Sequence, residues 1–231
     1  MLVSSNKVKS VVKIAKQVAK KEIAKAAEDK YIETVNTTIP FDVASGSVGT
    51  LLNGIQVGAN SYQRIGRHIK LKYMLFKCRI NQLTALTFAD QVLRFLIVWD
   101  REPNGMATVP NFSNVMASAA GTSDPFSFPN LSNEKRFQIL MDRTIKVPTQ
   151  NASGLSGSTQ TSSIEQREKN YFSKTIKLNR KTLFTALGNA GTIADIDKGA
   201  LFIVANALVY AAGNTNTHQM VFNARILFED V

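Results

Sequence analysis

The sequence has few residues of the types that build disulfides, metal sites and covalent active sites. It contains one cysteine, Cys78, and two histidines, His68 and His218, in 231 residues. A single cysteine excludes an intrachain disulfide framework, and neither histidine lies at metal-ligand spacing from a second His or Cys. Cys78 falls in an alternating segment and is predicted to be a small core residue. No P-loop, G-x-S-x-G or glycine-rich dinucleotide turn occurs, so we expect no enzyme.

Long hydrophobic runs are also missing. No segment reaches the roughly eighteen apolar residues of a membrane span, and the nearest candidate, residues 200–213, is interrupted by Asn206. The basic N-terminus is not followed by the apolar core of a secretory signal. We therefore expect a protein made in a reducing intracellular compartment, with no membrane partner.

Acidic residues are scarce relative to basic ones. The chain has 28 Lys and Arg against 17 Asp and Glu, a net charge of +11, while 44% of its residues are hydrophobic. That hydrophobic content predicts a folded protein with a sizeable core. The excess of positive charge points to nucleic acid or another anionic surface as the partner.

The first thirty residues carry much of this charge. They hold eight lysines, no arginine and three carboxylates, with no proline, glycine or aromatic residue. Their spacing predicts an amphipathic helix with a lysine stripe and a face of small Val and Ala residues. An anionic membrane, an import signal and a solvated tail are alternatives, but the lack of Trp and Phe favours phosphate neutralisation. The candidate nucleic-acid contacts are Lys7, Lys9, Lys13, Lys16, Lys20, Lys21 and Lys25.

From Tyr31 onward, short β-rich segments are separated by clusters of turn residues. Strands are predicted at residues 31–39, 47–52, 67–81, 91–100, 136–147, 169–179, 200–210 and 218–229, and short helices at 111–119 and 179–187. Eight strands with long connections predict an all-β, double-sheet jelly roll. Segments 91–100 and 200–210 are apolar on both faces and are placed centrally or against neighbouring subunits. The polar stretch 149–163 is predicted to be a surface loop.

Two of these strands have informative patterns of alternation. In 136–147, Phe137, Ile139, Met141, Ile145 and Val147 are predicted to share one face. In 67–81 the apolar positions change from odd to even, which predicts a bulge or bend near Leu75.

Four sequence segments after residue 30, taken in order, resemble segments of a known protein family. They are residues 63–71 (QRIGRHIKL), 93–105 (LRFLIVWDREPNG), 128–137 (FPNLSNEKRF) and 139–142 (ILMD). Together they resemble capsid proteins of circovirus-like small circular single-stranded DNA viruses, and are similar to the coat protein of the satellite of tobacco necrosis virus. The lysine-rich arm departs from the arginine-rich arms of many circovirus relatives and looks more like the satellite protein.

The resemblance implies a viral capsid protein found in the virion, and in the host nucleus or cytoplasm during assembly. It implies a single jelly roll assembled with itself in about sixty copies as a T=1 icosahedral shell. Residues 1–30 would be the arm and 31–231 the shell domain, with the arm inside on a single-stranded genome, DNA favoured over RNA. The host receptor is not identified. The alternative function is a non-capsid, single-stranded nucleic-acid-binding β-domain.

Two further groups of charged residues are candidate binding sites. Arg64, Arg67, Lys70 and Lys72 put four cations within nine residues and predict an inner-surface phosphate patch, with solvated charges or salt bridges as the alternative. Structural Ca²⁺ at subunit contacts is considered at Asp195 and Asp197, with Glu165, Glu168, Glu229 and Asp230 as weaker candidates. Two carboxylates are too few for Ca²⁺, so a plain loop is favoured and no cofactor is predicted.

Overall fold

The structure, a computed structural model, describes residues 12–15, 18, 29–41, 49–82, 91–117, 124–147, 171–208 and 218–231. The described part contains nine strands: β1 (Lys30–Pro40), β2 (Thr50–Leu51), β3 (His68–Gln82), β4 (Gln91–Asp100), β5 (Phe137–Val147), β6 (Tyr171–Phe184), β7 (Ile196–Lys198), β8 (Ala200–Leu208) and β9 (His218–Asp230). A four-residue helix, α1, spans Phe112–Val115. The predicted loop at 149–163 lies outside the described residues.

The strands form two antiparallel sheets. One has the order β1-β9-β3-β6-β7 and the other β2-β8-β4-β5. Strands distant in sequence are neighbours in both sheets, and this strand order is that of a double-sheet jelly roll. The predicted fold class is confirmed. The bounds of β4 are those predicted, and β7 was not predicted. Of the strand expected at 47–52, residues 47 and 48 lie outside the described residues, and within 49–52 only the two residues of β2 are in a strand.

The main hydrophobic core lies between the two sheets. β4 and β8 are the central strands of the four-stranded sheet, as predicted, and both of their faces are buried. Odd-numbered residues such as Phe95, Trp99 and Ile203 face the core between the sheets. Even-numbered residues such as Val98 and Phe202 enter a second cluster on the opposite face. Trp99, 5% exposed, is a core residue as predicted.

The connection between β4 and β5 covers the outer face of the four-stranded sheet. Helix α1 places Phe112 and Val115 on that face, where both are buried. Asn111 caps the helix: its side chain accepts from the Asn114 backbone N–H at 3.1 Å, and Asn114 accepts reciprocally at 2.9 Å. The helix expected at 111–119 is therefore present but shorter, and the chain itself covers the apolar face.

The helix predicted at 179–187 is wrong. β6 continues through Asn179 to Phe184 and pairs with β3 on one side and β7 on the other. Asn179 has a φ of 47°, in the left-handed region that Asn tolerates better than most residues. The turn signal of Asn179 therefore marks an irregularity within a strand and not the start of a helix.

The alternation predicted for β5 and for β3 is changed by a bulge in each strand. In β5, Ile97 pairs with Met141 but Val98 pairs with Ile139, so Leu140 is an extra residue. Phe137 and Ile139 accordingly join the outer cluster, while Met141 and Ile145 face the main core. These four residues do not share a face.

In β3 the predicted irregularity exists, but at a different residue. The register against both β6 and β9 shifts between Leu71 and Tyr73. Against β9 the extra residue is Lys72 and not Leu75, whereas against β6 the two residues Leu178 and Asn179 lie opposite Lys72. Beyond the bulge the even positions Met74, Phe76 and Cys78 are buried. The odd positions beyond it therefore face away from the core.

A buried polar contact joins the two sheets. Asn53 Nδ2 donates to Thr182 Oγ1 and to the Gly199 carbonyl, both at 2.9 Å, and Asn53 Oδ1 accepts from Leu201 N–H at 2.8 Å. Gly199 has a φ of 79°, and a Cβ there would lie 2.6 Å from Trp99 Cζ2. Glycine is therefore required at this close approach.

Candidate nucleic-acid interface

Arg64, predicted as a phosphate contact, is buried inside the chain. Its side chain donates to the carbonyls of Ile55 at 3.1 Å and Gly66 at 2.7 Å, and also to that of Gly188. The guanidinium lies 3.9 Å from the centre of the Phe184 ring. Burial lowers the pKa of Arg64 from its ordinary value. The prediction is corrected: Arg64 holds separate connections together, and its donors are used by backbone carbonyls.

Arg67 is half-exposed but is also tied to the fold. Its Nε donates to the Phe184 carbonyl at 2.9 Å, and its Nη2 lies 3.4 Å from Asp197 Oδ2. The second contact is long and exposed, so it contributes little stability. Arg67 can present part of its charge to a partner.

Lys70 and Lys72 share one carboxylate. Glu229 Oε1 lies 2.8 Å from Lys70 Nζ and Glu229 Oε2 lies 3.0 Å from Lys72 Nζ, which also pairs with Asp29. Hydrogen bonds from Lys70 and then Lys72 lower the pKa of Glu229. Bonds to Asp29 and then Glu229 raise the pKa of Lys72. Much of the charge at this end of β3 is neutralised within the chain.

The structure describes only part of the arm. Residues 12–15 and 18 are helical, in agreement with the predicted helix at those positions. Val12, Ile14 and Val18 are each about half exposed, so these apolar side chains are not core residues. Lys13 lies in this part, is exposed and makes no ion pair with another described residue. The remaining arm candidates, Lys7, Lys9, Lys16, Lys20, Lys21 and Lys25, lie outside the described residues.

A second set of cations was missed by the sequence analysis. Lys77 and Arg79 on β3, and Lys177 and Lys181 on β6, are exposed on the outer face of the five-stranded sheet. Within the part of the chain that the structure describes, none of the four forms an ion pair. We call these four residues the sheet patch. The alternation of β3 beyond its bulge was the available signal, but strand register, which brings β6 alongside, is not visible in the sequence.

The acidic residues considered for Ca²⁺ are used in other contacts. Asp195 Oδ2 accepts from the Thr192 N–H at 2.8 Å, Asp230 pairs with Lys30 at 2.9 Å, and Asp197 and Glu229 pair with the cations above. Among the described residues no cluster of three or more His, Cys, Asp or Glu could hold a metal ion. Glu165 and Glu168 lie outside those residues. The prediction of no cofactor, with structural Ca²⁺ at subunit contacts as the alternative considered, stays untested.

Of the other titratable groups considered for chemistry, His68 is exposed, whereas Cys78 and His218 are in the core. Cys78 is 3% exposed, and burial raises the pKa of its thiol to about 12. Burial lowers the pKa of His218 to about 4, so its imidazole is neutral at physiological pH. The thiol is protonated and inaccessible, which confirms Cys78 as a core residue. No helix in the described part is both long and apolar enough to cross a bilayer.

Comparison with known proteins identifies the family. Two similar solved structures are apo New Jersey polyomavirus VP1, at 8% identity and a TM-score of 0.25, and an empty capsid of Triatoma virus, at 10% identity and 0.25. The alignments cover 87% of this chain in both cases, and 98% and 70% of those chains. At these scores neither carries an argument, and the fold rests on the strand order above.

No curated protein matches the chain. One protein family does match the chain. Residues 3–204, which are most of the 231 residues, match the satellite tobacco necrosis virus coat protein family. A coat protein is a structural component of the virion, in keeping with the jelly roll and the buried Cys78 and His218. The chain belongs to the satellite tobacco necrosis virus coat protein family.

Proposed function

We propose that this coat protein assembles into an icosahedral shell of about sixty copies and packages a single-stranded genome through its lysine-rich arm. The observation that carries the proposal is the segregation of charge. Eight lysines and three carboxylates lie in the first thirty residues, whereas Lys70, Lys72 and Arg225 of the shell domain are paired with carboxylates. Lys30 is paired with Asp230, and the seven candidate lysines that precede it would neutralise phosphates and release their counterions.

Such packaging does not depend on sequence. Lysine contacts to phosphate position a nucleic acid but do not read its bases. We therefore propose the genome type only from the circovirus-like resemblance of the four segments 63–71, 93–105, 128–137 and 139–142, which favours single-stranded DNA over RNA. The T=1 shell rests on the same resemblance.

The arm's role is tested by substituting its seven candidate lysines with glutamine in the full-length protein. We expect particles with nuclease-protected nucleic acid from the wild-type chain and particles with several-fold less from the variant. In solution, seven lost phosphate contacts reduce the slope of log affinity against log salt by about 5. Particles that retain wild-type amounts of nucleic acid would refute the proposed role of the arm.

Sedimentation of the wild-type protein tests assembly separately. A shell of about sixty subunits of 25.4 kDa has a mass of about 1.5 MDa. A non-capsid nucleic-acid-binding domain would instead sediment as a monomer or small oligomer, with or without bound nucleic acid. Digestion of the packaged material with DNase or RNase identifies the genome.

A further inference from the structure

A groove crosses four strands on the outer face of the five-stranded sheet. Its exposed polar and aromatic lining is Asn36 from β1, Asn223 from β9, Lys77 and Arg79 from β3, and Tyr171 from β6, and the lining is completed by Cys78, Val221 and Phe222. The groove has a volume of about 260 Å³ and is open to solvent. Closed small-molecule pockets are generally about 300–1,000 Å³. An open groove of this size suits repeated contact with a polymer better than enclosure of a free ligand.

The register of the sheet brings the lining residues together. Arg79 is paired directly with Tyr171, and Lys77 with Asn223. Residues paired across neighbouring strands have Cβ atoms about 5 Å apart. Lys77 and Arg79 are two residues apart on one face, hence about 7 Å apart. Two cations, a phenol ring and an amide therefore converge on one short stretch of the sheet.

A bulge in β1 forms the far side of the groove. The pairing of β1 with β9 shifts register between Thr34 and Thr37, and Asn36 within this interval has a φ of 49°. The Asn36 N–H donates to Asn223 Oδ1 at 2.6 Å. This bond fixes the Asn223 amide beside Lys77.

The groove differs from the other end of the same face because carboxylates lie among the cations at that end, although Lys177 and Lys181 there form no ion pair with a described residue. Near the bulge of β3, Glu229 neutralises Lys70 and Lys72, and Arg225 pairs with Glu33. Among the described residues, no carboxylate lines the groove, and Lys77 and Arg79 form no ion pair. Unpaired cations beside an exposed aromatic ring are the features of sites that bind single strands, where phosphates contact the cations and bases stack on the ring.

We propose that this groove binds single-stranded nucleic acid, with Lys77 and Arg79 on consecutive phosphates and a base stacked on Tyr171. The inference rests on the proposed function, because it gives the packaged strand a second contact beyond the arm. It also orients the subunit, since the five-stranded sheet then faces the cargo. DNA and RNA share this chemistry, so the site itself does not distinguish between them.

The test measures binding of short fluorescein-labelled oligothymidylate and oligouridylate to the full-length protein at several salt concentrations. For Lys77→Ala/Arg79→Ala we expect the slope of log affinity against log salt to decrease by about 1.4, as two phosphate contacts are lost. For Tyr171→Ala we expect about tenfold weaker binding at an unchanged slope. Tyr171→Phe keeps the ring and should restore the affinity.

The matched control removes the same charge elsewhere. Lys135 and Lys146 are exposed cations outside the groove, Lys146 on β5 of the other sheet, and Lys135→Ala/Lys146→Ala should leave the slope close to that of the wild type. Ultraviolet cross-linking gives an independent measurement, and the cross-linked peptide should contain Tyr171. A wild-type slope for Lys77→Ala/Arg79→Ala together with a wild-type affinity for Tyr171→Ala would overturn the proposal.

The arm variant separates this inference from the proposed function. If the seven-glutamine variant loses nucleic acid while the groove variants bind normally, the arm packages the genome and the groove does not. If the groove variants fail and the arm variant packages normally, the groove is the contact and the role of the arm is refuted. An equal affinity for oligothymidylate and oligouridylate would show that the groove recognises the phosphates and bases, and not the sugar.

Discussion

The Arg64 guanidinium can be buried because its N–H groups donate to carbonyls and its planar face lies against an aromatic ring. Unpaired, a buried charge costs several kcal/mol, but here three backbone carbonyls accept and Phe184 lies under the cation. The Ile55 and Gly66 acceptors are close to Arg64 in sequence, whereas Gly188 belongs to a distant segment of the chain. One side chain therefore fixes the relative positions of these connections.

Replacement of Arg64 should destabilise the subunit far more than replacement of Arg67. Arg64→Met leaves two buried carbonyls and one partly buried carbonyl without this donor, and we expect a loss of about 3 kcal/mol in the free energy of unfolding. Arg67→Met removes exposed contacts and should cost less than about 1 kcal/mol. Urea unfolding of dissociated subunits, followed by the fluorescence of buried Trp99, measures both. Equal shifts for the two variants would contradict the structural role of Arg64.

Individual core residues could be predicted from the sequence, but the burial of Arg64 could not. Cys78 and Trp99 lie in apolar or alternating segments, and such patterns report burial directly. Arg64 stands in the same basic phrase as Arg67 and Lys70, so its sequence context is that of a surface cation. Only the acceptors at Ile55 and Gly188, supplied by folding, distinguish it.

At the scale of the element, bulges decide which side of a sheet a residue faces. One extra residue in a strand exchanges the two faces for every residue that follows. Lys72 has this effect in β3 and Leu140 in β5. The sheet patch depends on it, because the bulge at Lys72 places Lys77 and Arg79 outward.

Apolar periodicity predicted where strands occur, but it did not predict where they end or where they are irregular. β4 was predicted to the residue because both of its faces are buried and Asp100 ends the apolar run. β6 was cut short at Asn179, a residue that favours turns and helix caps. Pairing with β3 and β7 on either side outweighs that local preference.

The backbone at Asn179 gives a prediction at this scale. Its φ of 47° is costly for a β-branched residue but not for glycine. We expect Asn179→Val to lower the free energy of unfolding by about 1–2 kcal/mol and Asn179→Gly to change it by less. The urea midpoints of the two variants and the wild type provide the comparison. A valine variant as stable as the glycine variant would mean that β6 has no left-handed residue there.

At the scale of the molecule, each sheet has a different outer face. The connection between β4 and β5 covers the four-stranded sheet with Phe112 and Val115, so that face is already closed within one subunit. The five-stranded sheet carries the sheet patch and the groove on its outer face. The outer faces of the two sheets therefore differ: one is covered by a connection of the same chain, and the other carries exposed cations and the groove.

Exposed apolar side chains mark where subunits would meet. Phe128 and Leu131, in the connection between β4 and β5, are 82% and 81% exposed. Large apolar residues exposed close together are typical of protein–protein contacts. The neighbouring Asn130 and Ser132 form a capped 3₁₀ turn at this point, which holds Leu131 outward.

Assembly should therefore depend on these two residues while folding does not. For Phe128→Ser/Leu131→Ser we expect a large shift from particles to free subunits in sedimentation, because burial of each side chain contributes about 1.5–3 kcal/mol at every contact. The Phe128 carbonyl still accepts from the Ala117 N–H, so the connection keeps its backbone bond. The control is the urea midpoint of dissociated subunits, which should match that of the wild type. Full assembly of the double variant would place the subunit contacts elsewhere on the molecule.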